Sequence, residues 1–135
     1  MRLSDFEGRW LLTRLVENAD GTRAHFDGIA TFSPGEGGLI LLEEGHMSVP
    51  GQPKMHAARR YFWRQEAEGV AVHFDDNRPF HIIGPGDCPQ ARHDCAPDLY
   101  RVSYDFSDPP GWRTTWRVTG PRKDYRMYTH YVPEP

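Results

Sequence analysis

The chain has 135 residues, enough for one domain with a single hydrophobic core. Its formal net charge is −3, and its basic residues are scattered among acids, which excludes the massed positive surface of a nucleic-acid-binding protein. The sequence contains neither the ~18-residue apolar run of a membrane-spanning helix nor an apolar signal-peptide core, so we expect a cytoplasmic protein without a membrane partner.

Alternating apolar and polar residues predict strands through the first half of the chain. Residues Ser4 to Glu7 have the capping-box pattern, which predicts one helical turn before the glycine that follows. Gly, Pro, Asn and Asp turns then separate the predicted strands. These strands cover 9–18, 22–33, 39–47, 55–66, 69–75 and 78–83. On one face of the second strand, small residues such as Gly28 favour a sharp bend or the close approach of a ligand.

The second half begins with an irregular segment and ends in a hairpin. Residues 84–98 show no periodicity, which predicts a long lid, binding loop or disordered segment. Residues 99–106 alternate as a strand, and 112–131 form two alternating runs separated by Gly120-Pro121, as in a β-hairpin. The count is therefore about nine strands, linked in sequence by hairpins.

This order of elements predicts an all-β fold. A meander of sequential hairpins removes its exposed edges by closing on itself. We therefore expect residues 1–135 to form a single up-and-down antiparallel β-barrel with a short N-terminal helical turn.

Three segments carry a resemblance to known proteins: FEGRW at 6–10, ARHDCAPDLYRVSYDF at 91–106 and WRVTGPRKDYR at 116–126. The first resembles the opening of calycins, the barrel group of lipocalins and fatty-acid-binding proteins. Together the segments are similar to an uncharacterised bacterial family of unknown function with a Gly-Pro-Arg-Lys-Asp-Tyr signature. The resemblance implies a calycin-like barrel and transfers no catalytic residues. It also implies that Trp10 packs under a late arginine, Arg122 or Arg126, by a cation–π contact.

The strands place aromatic residues on one face and charged residues on the other. Arg101, Asp105, Arg113, Arg117 and Arg126 lie opposite the aromatic side chains. Either face is compatible with the barrel interior. Inward arginines would form an anion-binding lumen, whereas inward aromatics would line an apolar cavity or fill it. We favour inward aromatics, because burying unpaired guanidinium groups is costly.

The first functional hypothesis is a barrel that binds a small apolar or aromatic molecule in its lumen. Such sites are mostly apolar, with a few polar groups that fix the orientation of the ligand. The expected cavity lining is Trp63, Tyr100, Tyr104, Trp112 and Trp116, and the expected polar anchor is Arg101, Lys123 or Tyr125.

The second hypothesis is a small barrel enzyme, such as a cyclase, isomerase or hydrolase. His81, His93 and Asp98 would act as acid–base residues at the barrel mouth, because histidine titrates near neutral pH and a carboxylate can orient it. His81 alternates with Phe80 and Ile82, so an outward position is the competing interpretation. A third hypothesis is an interaction module, including a homodimer, that pairs through a strand edge or an aromatic patch.

No cofactor or metal is expected. Cys88, His93 and Cys95, with Asp94 or Asp98, have the donor types of a zinc site but lack its paired spacing. In a reducing compartment the two cysteines are expected to be thiols. The alternation of the last strand directs His130 outward, against a role as a heme ligand.

Overall fold

The computed structural model describes residues 2–135, and ten antiparallel strands of one sheet follow a 3₁₀ turn at Leu3–Phe6. No helix in this part of the chain is long and apolar enough to cross a bilayer. The strands are β1 (Gly8–Asn18), β2 (Arg23–Gly35), β3 (Gly38–Ser48), β4 (Met55–Glu66), β5 (Gly69–Phe74), β6 (Pro79–Ile83), β7 (Gln90–Cys95), β8 (Asp98–Asp105), β9 (Trp112–Thr119) and β10 (Asp124–Pro133).

The sheet curls into a nearly closed up-and-down barrel, which confirms the predicted fold class. Strand neighbours are consecutive in sequence, and β1 pairs with β10 to join the two ends of the chain. The remaining gap lies between β6 and β7, which do not pair within the ladder. Aromatic contacts cover this seam: the ring of Phe80 in β6 lies 5.2 Å from His93 in β7 and 5.2 Å from Trp116 in β9.

The barrel has one closed end, which the N-terminal turn covers. Phe6 is buried there, 5.1 Å from the ring of Trp63 and 5.4 Å from that of Trp112. The predicted helical turn is confirmed, but its cap differs from the prediction, because the Asp5 carboxylate accepts the Arg2 backbone N–H at 2.7 Å. The capping-box residues Ser4 and Glu7 do not make this bond.

Trp10 does not contact a late arginine, so this implication of the calycin resemblance is wrong. In the β1–β10 register, Trp10 lies opposite Pro133 and Arg126 lies opposite Glu17, at the other end of the barrel. The indole of Trp10 instead donates to the Phe6 carbonyl at 2.8 Å.

The prediction of an irregular segment over 84–98 is wrong in its second half. Residues 90–95 form β7 and pair with β8 in antiparallel register. This strand contains no large aliphatic side chain, so the sequence lacks the apolar alternation that marks the other strands. Its backbone pairing with β8 and the seam position of His93 stabilise it instead.

The small residues of β2 and β3 form a corner of the barrel. Gly28 and Gly45 are cross-strand partners. A Cβ on Gly45 would overlap the carbonyl oxygen of Asp27, and one on Gly28 would overlap that of Glu44. The two backbones are therefore closer than any side chain permits, which lets the sheet turn sharply.

We expect Gly45→Ala to lower the free energy of unfolding by about 1–3 kcal/mol, because the neighbouring backbone must shift. Gly84→Ala is the matched control, since a Cβ there meets nothing within 4 Å. Urea denaturation measures both changes. Equal, small effects for the two variants would contradict the corner interpretation.

Candidate functional site

The barrel encloses a cavity with a volume of about 200 Å³. Its floor is the closed end of the barrel, and its mouth lies at the opposite end, where β3–β4, β7–β8 and β9–β10 connect. Aromatic rings form a large part of its wall. The rings that line it are Phe26, Tyr61, Trp63, Phe80, His81, Tyr100, Tyr104, Trp112, Trp116, Tyr125 and Tyr131. The expectation that the aromatic face points inward is therefore confirmed.

Stacked and edge-on rings make the floor rigid. Trp112 is 2% exposed and stacks on Tyr131 with ring centroids 3.7 Å apart. Trp63 packs against Trp112 at 6.1 Å. Such pairs add about 0.5–1.5 kcal/mol each beyond the burial of their area. The floor is therefore filled by packed rings, and the cavity lies above it.

One polar cluster interrupts the aromatic wall. Arg14 of β1 donates from Nη2 to Glu43 Oε1 of β3 at 2.9 Å, and Tyr131 of β10 donates its hydroxyl to Glu43 Oε2 at 2.5 Å. Arg14 Nε donates to Thr129 Oγ1 at 2.8 Å. The Arg14 side chain is 14% exposed and that of Glu43 is 6% exposed. We call Arg14, Glu43, Thr129 and Tyr131 the polar cluster.

In this cluster, burial and ion pairing have opposite effects on the pKa of Arg14. Desolvation alone would lower the pKa of Arg14, but the adjacent Glu43 charge outweighs it, so the pKa is raised. Burial raises the pKa of Tyr131, and the Glu43 carboxylate raises it further. The cluster therefore consists of an ionised Arg–Glu pair and a neutral phenol, with no net charge at neutral pH.

A histidine–tyrosine pair occupies the opposite wall. His81 of β6 places Nε2 2.8 Å from the Tyr104 hydroxyl of β8, and both residues are buried. Burial, with a smaller contribution from nearby His93, lowers the pKa of His81 to about 3. The imidazole is neutral at physiological pH and lies inside the barrel, so the competing outward interpretation of His81 is wrong.

The β9–β10 turn, which contains the Gly-Pro-Arg-Lys-Asp-Tyr segment, forms part of the mouth. Lys123 Nζ donates to the Tyr100 hydroxyl at 2.7 Å and pairs with the Asp98 carboxylate at 3.0 Å. The hydrogen bond to Tyr100, followed by the contact with Asp98, raises the pKa of Lys123. A Cβ on Gly120 would overlap the Asp98 carboxylate, so the turn packs closely on β8. These contacts hold Tyr100 at the rim of the cavity.

The structure brings together most of the residues that the sequence analysis selected as cavity lining. Trp63, Tyr100, Tyr104, Trp112, Trp116 and Tyr125 all line the cavity. Arg101 is exposed and does not line it, and Lys123 lies at its rim.

The three acid–base candidates do not contact one another through hydrogen bonds in residues 2–135. His81 is bonded to Tyr104 and Asp98 to Lys123. His93 packs at the seam, 5.2 Å from Phe80.

The sequence analysis missed the polar cluster as a site. Its signal was present in the alternation, since Arg14 shares a face with Trp10 and Leu12, and Glu43 shares one with Leu41. A charged residue on an apolar face indicates either an exposed strand end or a buried pair. The sequence does not show that Arg14 and Glu43 meet.

Residues 2–135 do not show the arrangement of side chains that the alternative zinc or heme site would need. Cys88 and Cys95 are free and exposed, and no group of three or more His, Cys, Asp or Glu in residues 2–135 is arranged to hold a metal ion. His130 lies on β10 between the inward-facing Thr129 and Tyr131, so it faces outward.

Comparisons with known proteins identify the family and the fold. A chain in the structure of the S-type phycobiliprotein lyase CPES from Guillardia theta aligns with a TM-score of 0.66 at 6% identity, over 98% of this chain and 90% of that chain. At this identity the similarity shows the barrel fold alone. No curated protein matches the sequence. The model of a family of unknown function, DUF6314, matches residues 6–133. The chain therefore belongs to the DUF6314 family.

Proposed function

We propose that this protein binds a small apolar or aromatic molecule in the lumen of its calycin-like barrel. The single observation that supports the proposal most directly is the aromatic cavity with one charge-balanced polar cluster in its wall. Sites for small molecules combine these two features, an apolar surface for affinity and a few polar groups for orientation.

Unpaired polar atoms in the same wall support the proposal. Trp112 Nε1 and Thr114 Oγ1 are buried and have no hydrogen-bond partner in residues 2–135. An unsatisfied buried polar group costs about 1–3 kcal/mol. Both residues line the cavity, so we interpret these two groups as hydrogen-bond partners for a ligand once the surrounding side chains adjust.

The cavity volume limits the size of the ligand. Drug-sized ligands occupy pockets of about 300–1,000 Å³, and an engineered cavity of roughly 150 Å³ binds benzene. A cavity of about 200 Å³ therefore fits one or two rings. The phycobiliprotein lyase resembles this chain in fold alone, so the ligand size proposed here rests on the cavity volume.

A thermal-shift screen tests the proposal. The panel contains neutral and anionic one- and two-ring aromatic compounds, with a long-chain fatty acid and biliverdin as larger comparators. A compound at 100 times its Kd is expected to raise Tm by about 8–12 °C. The absence of any shift at saturation across the panel would overturn the proposal.

A pair of variants locates the binding site. Val16 lines the cavity near its mouth, whereas Leu15 lies on the outer face of the same strand. Val16→Phe is expected to weaken binding about tenfold or more by filling the space, and Leu15→Phe is expected to leave it unchanged. Isothermal titration calorimetry measures both. Equal effects would place the binding outside the lumen.

The second candidate function is catalysis by the same cavity. The observation that favours it is the buried, neutral His81 in contact with the Tyr104 hydroxyl, because a neutral imidazole of low pKa can donate a hydrogen bond that polarises a substrate carbonyl. His93 and Asp98 do not contribute a hydrogen bond to this pair. Mass spectrometry after incubation distinguishes the two functions, since a binding protein returns its ligand unchanged.

A further inference from the structure

Among residues 2–135, the ionic groups that line or border the cavity are paired, with the exception of Arg59. Arg14 is paired with Glu43 at 2.9 Å, and Lys123 with Asp98 at 3.0 Å. Arg59 also lines the cavity, but no carboxylate lies within ion-pairing distance of it in residues 2–135. The wall therefore carries one more positive charge than negative.

Glu43 does not neutralise Arg59, although the two residues are direct cross-strand partners on β3 and β4. Both oxygens of Glu43 already accept hydrogen bonds, Oε1 from Arg14 and Oε2 from Tyr131. Arg59 is exposed at the mouth, beside Tyr61. The neighbouring Tyr61 phenol raises the pKa of Arg59, so the guanidinium stays charged.

We propose that the ligand is a small aromatic carboxylate whose ring occupies the lumen and whose carboxylate binds the Arg59 guanidinium at the mouth. This inference rests on the proposed function and specifies its ligand class. A guanidinium matches a carboxylate with two parallel hydrogen bonds. At the mouth the anion keeps part of its hydration, so it avoids the cost of full burial.

The charge distribution disfavours an anion deeper in the barrel. There the carboxylate would meet the Glu43 charge, and Arg14 already directs Nη2 to Glu43 and Nε to Thr129. Placing the anion at Arg59, which is not ion-paired within residues 2–135, leaves the polar cluster intact. The ring then lies among Trp63, Tyr104 and Trp116, which line the lumen.

Three ligands with one ring system test the inference: indane, 1-indanone and indane-1-carboxylate. The wild-type protein is expected to bind the carboxylate about five- to tenfold more tightly than either neutral compound. Raising NaCl from 50 to 500 mM is expected to remove most of this advantage and to leave the neutral compounds unaffected, because salt screens an exposed ion pair. Isothermal titration calorimetry measures the Kd values.

Arg60 provides a matched control, since it is also an exposed neighbour and faces outward over the Phe62 ring. Arg59→Gln is expected to weaken binding of the carboxylate until its Kd equals that of 1-indanone. Arg59→Lys is expected to keep about half of the difference in log Kd between the two compounds. Arg60→Gln is expected to leave both Kd values unchanged. If the carboxylate binds no better than 1-indanone, or if Arg59→Gln and Arg60→Gln act alike, the inference is wrong while binding of the neutral compounds still supports the proposed function. Failure of all three compounds to bind would overturn both.

Discussion

Glu43→Gln is expected to lower the free energy of unfolding by about 3–5 kcal/mol, because it leaves the Arg14 guanidinium charged and uncompensated inside the barrel. Glu43 is 5% exposed and accepts hydrogen bonds from both Arg14 and Tyr131. The amide of glutamine can still accept one of these bonds, but it carries no charge. Urea denaturation at pH 7 measures the loss.

Two further variants test whether the loss of stability in Glu43→Gln comes from breaking the buried Arg14–Glu43 ion pair. Glu44→Gln is the matched control, because Glu44 is the exposed neighbour on the outer face, 3.5 Å from His56, and exposed pairs contribute about 0–1 kcal/mol. Replacing the pair by Arg14→Met and Glu43→Leu together is expected to cost less than Glu43→Gln alone, since no buried charge remains. A loss for Glu43→Gln as small as that for Glu44→Gln would show that the cluster is solvated.

Acidification from pH 7 to pH 4.5 is expected to lower stability by about 2–3 kcal/mol through His81 alone. The folded-state pKa of His81 is about 3, below the unfolded value of about 6.5. Between these values the unfolded chain binds a proton at His81 and the folded protein does not, so lower pH favours unfolding. The loss begins below pH 6.5 and is complete near pH 3.

His81→Gln isolates this contribution, because glutamine can still bond to Tyr104 and does not titrate. Its free energy of unfolding is expected to fall less between pH 7 and pH 4.5 than that of the wild type, by the amount above. His25→Gln, at an exposed histidine on the outer face, is expected to keep the wild-type slope. Identical slopes for wild type and His81→Gln would contradict a buried neutral imidazole at this position.

The local pattern was sufficient to predict most strands and several of the aromatic side chains that face the lumen. The alternation of Tyr100, Val102 and Tyr104 against Arg101 and Ser103 sets which residues share a face, because a strand repeats every two residues. The cost of burying arginines then decides which face turns inward. Strand β7 was not predicted, because it depends on backbone pairing with β8 rather than on alternating apolar side chains.

The sequence by itself determined an antiparallel barrel with an aromatic interior, because two-residue periodicity and turn chemistry are local properties of the chain. Only the tertiary structure decided the site. Arg14 and Glu43 are separated by 29 residues and meet through strand register, and Tyr131 joins them only because β10 pairs with β1. Likewise, Glu43 binds Arg14 and Tyr131 and not its direct cross-strand partner Arg59, which has no carboxylate within ion-pairing distance in residues 2–135. Arg14, Arg59 and Tyr131 compete for the Glu43 carboxylate because the strands pair and the sheet closes. No local pattern in the sequence predicts this arrangement.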